Sequence, residues 1–168
     1  LEQDQIHHIF RLLCGAHRQM GIIYSQQLKY DLSEYHCERC LAYGKRFEGT
    51  EEEKACLLGG AYRAYCRLRN IQQNYAAGVM FAEEAYNCAA EAYNPVHPEV
   101  QTAAGSLIHC LTQLGRLNDA EVFSQMTLDS LRDPANKIDQ NSEEVALGYY
   151  NKARVIQTQN GDLVKAEE

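Results

Sequence analysis

Seven cysteines and six histidines are the residues with the most reactive chemistry in this chain of 168 residues. Cys37 and Cys40 stand three apart beside His36. On a helix that spacing puts both thiols on one face, where they could serve as half of a zinc site. Zinc needs four ligands, and no second pair follows at finger-like spacing, so the pair reads as core packing instead. The seven thiols (positions 14, 37, 40, 56, 66, 88 and 110) are odd in number and irregularly spaced. They read as reduced, small core residues rather than a disulfide framework. His7 and His8 are adjacent and would point about 100° apart on a helix, and His97 lies between two prolines. These histidines, with His17, read as structural or surface groups. No nucleophile–base set, paired-carboxylate site or glycine-rich phosphate loop is visible, so the expectation is no enzyme activity, no cofactor and no metal.

The elements that must position these residues are helical. Apolar residues recur at three and four throughout, and no segment shows sustained period-two alternation. The spacing predicts helices over 1–28, 33–47, 51–73, 76–93, 99–114, 118–132 and 142–159, with an eighth beginning after a turn at Asn160-Gly161. Ile6, Ile9, Phe10 and Leu13, continued by Met20, Ile23, Tyr24 and Gln27, are the expected buried stripe of the first helix. Thr50 with Glu53 forms a capping-box pattern. Asp31 or Ser33, and Asn118 or Asp119, are expected helix caps. Gly15 or Gly21, and Gly59-Gly60, read as points of close helix approach. The excess of tyrosine over phenylalanine, 11 against 4, reads mainly as packing, with Tyr62, Tyr65, Tyr75, Tyr86 and Tyr93 clustered mid-chain.

One stretch organises the rest. Gly115-Arg116-Leu117-Asn118-Asp119-Ala120-Glu121 reads as the tight turn of a helical hairpin, and Gly161-Asp162-Leu163-Val164-Lys165-Ala166-Glu167 is a near copy. Aligning Ala120 with Gly78, Ser33 and Ala166 brings Phe123 onto Phe81 and Leu107 onto Tyr65 and Met20. That register gives a single domain, 1–168, with units of roughly 14–50, 55–94, 99–134 and 143–168, the last truncated. The chain begins with Leu rather than Met and is expected to be part of a longer protein.

Leu107-Ile108, Leu111, Gly115, Ala120 and Thr127-Leu128 resemble the tetratricopeptide repeat, as do Met20-Gly21, Tyr24, Ser33 and Cys40-Leu41 in the first unit. The long units and His97-Pro98-Glu99-Val100 are similar to kinesin light chain repeats. Comparable long repeats occur in SET- and MYND-domain methyltransferases. The resemblance implies an all-α solenoid, a right-handed superhelix of seven to eight antiparallel helices with a concave inner face. It places Arg18, Arg63, Arg67, Asn70, His109, Gln113, Asn151 and Lys152 on that face as a peptide-binding groove. It implies a non-catalytic scaffold that binds a protein or peptide, with the basic groove favouring an acidic one. The alternatives are a regulatory helical part of a larger enzyme and a purely structural solenoid. A net charge of −7 argues against nucleic acid. No apolar run approaches the length of a membrane span and no signal peptide is visible, so the expected location is cytoplasmic, with no membrane partner.

Overall fold

A computed structural model describes the backbone of residues 2–167 and the side chains of residues 2–161. Among the described residues seven α-helices follow one another: α1 Gln3–Gln26, α2 Tyr30–Arg46, α3 Glu51–Ile71, α4 Tyr75–Ala92, α5 Pro98–Gln113, α6 Leu117–Arg132 and α7 Glu143–Glu167. A short 3₁₀ turn, Pro134–Asn136, lies between the last two. The chain is all-α, with successive antiparallel helices in a tetratricopeptide-like arrangement. Each helix packs on the next. Among the described residues, α1, α3, α5 and α7 also pack in succession on one another, while α2, α4 and α6 do not. One layer is therefore drawn together and the other splayed, so the odd helices line the concave side.

The three hairpins α1–α2, α3–α4 and α5–α6 close through one backbone device. Leu28, Gln73 and Gly115 have φ of 59°, 58° and 79°. The next amide in each case reaches back five residues: Lys29 to Tyr24 (2.9 Å), Asn74 to Arg69 (2.8 Å) and Arg116 to Leu111 (3.0 Å). This is a Schellman-type helix end, which satisfies carbonyls that the helix leaves free. Five residues beyond each left-handed residue stands a buried small one: Ser33, Gly78 and Ala120. There the second helix crosses the first. The Ser33 hydroxyl donates to the Gly21 carbonyl at 2.8 Å.

Only Gly115 meets the left-handed region without strain. Gln73→Gly should therefore stabilise the fold. The relief of about 1–2 kcal/mol in the left-handed conformation exceeds the roughly 0.5–1 kcal/mol of added unfolded-state freedom. A thermal melt should show a rise of a few degrees, about 2–4 °C per kcal/mol for a chain of this size. A fall would mean that the Gln73 side chain makes a contact worth more than its backbone strain.

Several local expectations are corrected. The turn at Gly161 does not form, because α7 runs through it to Glu167. Leu163, Val164 and Ala166 of that near copy lie outside the described side chains. Asp31 and Ser33 do not cap α2, and Asn118 and Asp119 do not cap α6. The Schellman closures put Lys29 and Arg116 at those positions, and Asp119 instead pairs with Arg116 Nε at 2.7 Å. The expected stripe of α1 is turned outward in large part: Ile6, Ile9, Met20 and Ile23 are exposed, and the small residues Cys14, Gly21 and Ser25 face the core. A Cβ on Gly21 would lie 3.0 Å from Cys37 Sγ, so the close approach to α2 excludes larger side chains there. The Thr50–Glu53 capping box forms in both directions. The tyrosines pack as expected: Tyr65 stacks on Phe81 at 4.6 Å, and Tyr86 meets Phe123 edge-on.

Candidate functional site: a basic groove on the concave face

The seven thiols are the most reactive side chains of the chain. All seven are free. Cys37 and Cys40 are fully buried between α1 and α2, and burial pushes Cys37 up to about 11. Cys40 lies 3.3 Å from Cys14, and Cys66 lies 3.4 Å from Cys110. Hydrogen bonding to the partner thiol, aided by burial, holds Cys40 and Cys66 well above the usual thiol range. Protonated, buried thiols are poor ligands and poor nucleophiles. Among the described residues, no group of three or more His, Cys, Asp or Glu is placed to hold a metal ion. His17 and His36 share a hydrogen bond between their Nδ1 atoms at 2.8 Å, one donating and one accepting. His97 caps α5, its Nδ1 accepting from the Glu99 amide, while its ring stacks on Tyr93 at 3.9 Å.

The concave face holds a groove of about 1040 Å³, lined by α1, α3, α5 and α7. Arg18, Arg63, Arg67, Asn70, His109 and Asn151 all line it. Gln113 and Lys152 do not. Gln113 lies one turn too far along α5 and is exposed away from the groove. Lys152 projects to the other side of α7, where its ammonium donates to Gln125 on α6. The α7 side chains that do face the groove are Leu147, Tyr150, Asn151 and Arg154, spaced three and four apart.

Four guanidinium groups thus share the groove with one carboxylate, Glu99. Arg63 Nη1 donates to Glu99 at 2.6 Å. The Arg18 stem lies across Gly60, where a Cβ would come 3.2 Å from Arg18 Cδ, so this glycine lets α1 and α3 close without displacing the arginine. Arg67 is exposed and has no salt bridge among the described residues. Arg154 reaches His109 Nδ1 at 3.0 Å and lies 5.6 Å from the Tyr150 ring centroid. Asn70 is more committed than a free amide: Cys110 donates to its Oδ1 at 3.3 Å, and its Nδ2 faces Cys66 at 3.7 Å. Gly78 makes room for it, since a Cβ there would be 2.6 Å from Asn70 Oδ1.

Burial, and then the Arg154 charge, hold the His109 imidazole below its ordinary range. Burial, with His36 and Arg39, does the same for His17. Both fold with a depressed pKa, so the unfolded chain takes up protons first as the pH drops. Stability should be flat above about pH 7 and should fall on acidification through the ordinary histidine range near 6.5. Urea midpoints measured from pH 7.5 to 5.5, with His109→Gln flattening part of the decline, would check this. An unchanged slope in that variant would remove His109 from the account.

No family model matches this sequence, and comparison with curated proteins finds no match. Among solved structures, the fold is similar to the crystal structure of BtubC (BKLC) from P. vanneervenii, a bacterial kinesin light chain of the tetratricopeptide class. The TM-score is 0.69 at 15% identity, over 95% of this chain and 67% of that one. At that identity the likeness is one of fold. No described helix is long and apolar enough to cross a membrane.

Proposed function

We propose that this chain is a non-catalytic binding module that holds an extended, acidic segment of a partner protein in the concave groove. The observation that carries the proposal is the local charge. Arg18, Arg63, Arg67 and Arg154 face one carboxylate, in a chain whose net charge is −7. Guanidinium groups pair with carboxylates in a two-pronged geometry, and Arg67 is free to do so. Asn151 offers amide hydrogen bonds to a peptide backbone, and Ile22, Ile71, Leu147 and Tyr150 offer apolar contacts beside the charges. The groove is built from helix faces rather than loops, so the ordering cost falls on the peptide.

Fluorescence anisotropy with labelled acidic, neutral and basic peptides of equal length tests the reading. The acidic set should bind tightest and weaken as salt rises, because added ions screen exposed charges. Equal affinity across the three sets would overturn it.

A further inference from the structure

The outward face of α1 repeats itself about its own middle. Ala16 stands at the centre, Leu12 and Met20 lie four residues either side, Ile9 and Ile23 seven, and Gln5 and Gln27 eleven. At 100° per residue all fall within one narrow stripe. The stripe lies opposite Cys14, Gly21 and Ser25, which pack inward. Its large members are 42% (Ile9), 59% (Leu12), 38% (Met20) and 48% (Ile23) exposed.

A solvated helix face ordinarily carries charge. This one carries none from Gln5 to Gln27, because the two arginines of that stretch point elsewhere. Arg11 pairs with Glu53 on α3 at 2.6 Å, and Arg18 lies over Gly60.

We infer that a second copy of this chain docks here, α1 against α1 and antiparallel, about a two-fold axis through Ala16. A two-fold contact requires one patch to complement itself when reversed. Reversal of this stripe sets Ile9 against Ile23, Leu12 against Met20 and glutamine against glutamine, with matched volumes at each level. Alanine at the crossing point permits the closest approach of the two axes. The ends complement one another in charge as well. Glu2 of one copy comes level with Lys29 of the other, and the two helix dipoles oppose.

The stripe spans about 33 Å at 1.5 Å per residue and is roughly 10 Å wide. Interdigitation of its side chains brings the surface lost to the low end of specific interfaces, about 1,200 Å² in total. The dimer therefore dissociates on dilution, and it leaves the concave groove open.

Sedimentation or light scattering from about 1 to 300 µM, the range in which modest interfaces fill, should show the mass doubling. Leu12→Glu combined with Ile23→Glu should keep it monomeric throughout. Helicity and melting of the monomer should be unchanged, since both side chains point away from the core. Register is read by cross-linking, with the joined peptides identified by mass spectrometry so that native thiols do not confound it. Ala16→Cys should link to itself. Ile9→Cys should link to Ile23→Cys in a mixture, and neither should link to itself. A monomer at every concentration, a dimer indifferent to the double glutamate variant, or an Ile9→Cys self-link would each overturn the proposal.

Discussion

Phe47→Ala should be the most damaging single truncation in the chain, costing about 3–5 kcal/mol of a stability that for a domain is roughly 5–15 kcal/mol. Phe47 is the largest fully buried side chain, 1% exposed, although it sits at the C-terminal cap of α2 in extended conformation. Its ring lies 5.3 Å from the His7 ring on α1. It also occupies the space beside Gly49, where a Cβ would be only 2.2 Å from Phe47 Cε1. One aromatic ring thus fastens the start of α1 to the corner between α2 and α3. Loss of about 6–20 °C in melting temperature follows from the cost at 2–4 °C per kcal/mol. The loss should also be uneven. In a solenoid each unit leans on its neighbours alone, and among the described residues α1 packs only on α2 and α3. Amide exchange should therefore accelerate across α1 and α2 while α5, α6 and α7 keep their protection. Uniform acceleration would show that the array unfolds as one body and would contradict the one-dimensional picture.

The helical joints were legible where side chains state their own geometry and illegible where a glycine merely permits it. Thr50 and Glu53 announce a capping box because each satisfies the other's backbone amide. Gly115 announces a left-handed residue, yet Leu28 and Gln73 adopt the same conformation with ordinary side chains. What those three joints share is the buried small residue five positions on, where two helices cross. After Gly161 the residue at that position is Ala166, which lies outside the described side chains. There α7 continues without a break.

The error at that joint propagated into the site. A register set by a turn at Gly161 points to Lys152, whereas the continuous α7 presents Arg154 to the groove. Val155, beside Arg154, is fully buried and belongs to the core. On α3, bounded by a capping box and a Schellman-type joint, Arg63, Arg67 and Asn70 line the groove. The spacing of Leu147, Tyr150, Asn151 and Arg154, read without the turn, would have found the face. The outward stripe of α1 was misread for another reason. Apolar periodicity gives a helix a face but does not say which partner covers it, and the tight crossing with α2 selects small residues instead.

Reversing charge at Arg63 and Arg67 together should weaken an acidic peptide by about a hundredfold or more at low salt, since hydrogen bonds to charged groups contribute roughly 1.5–3 kcal/mol each. The fold should barely notice. Arg67 is exposed, and the Arg63–Glu99 pair, partly open to solvent, is worth at most about 1 kcal/mol. Glu99→Gln supplies the opposite arm. It removes the one carboxylate in the groove and releases the Arg63 guanidinium, which now lies 2.6 Å from Glu99 Oε2. That variant should bind the same peptide several-fold more tightly, and the gain should vanish in the Arg63→Glu background because the two changes act on one pair. If Glu99→Gln left affinity unchanged while the double reversal abolished it, long-range attraction would be at work rather than a carboxylate seated on Arg63. Raising the ionic strength to about 0.5 M separates these cases, since screening suppresses the distant term while leaving a close, partly buried pair largely intact.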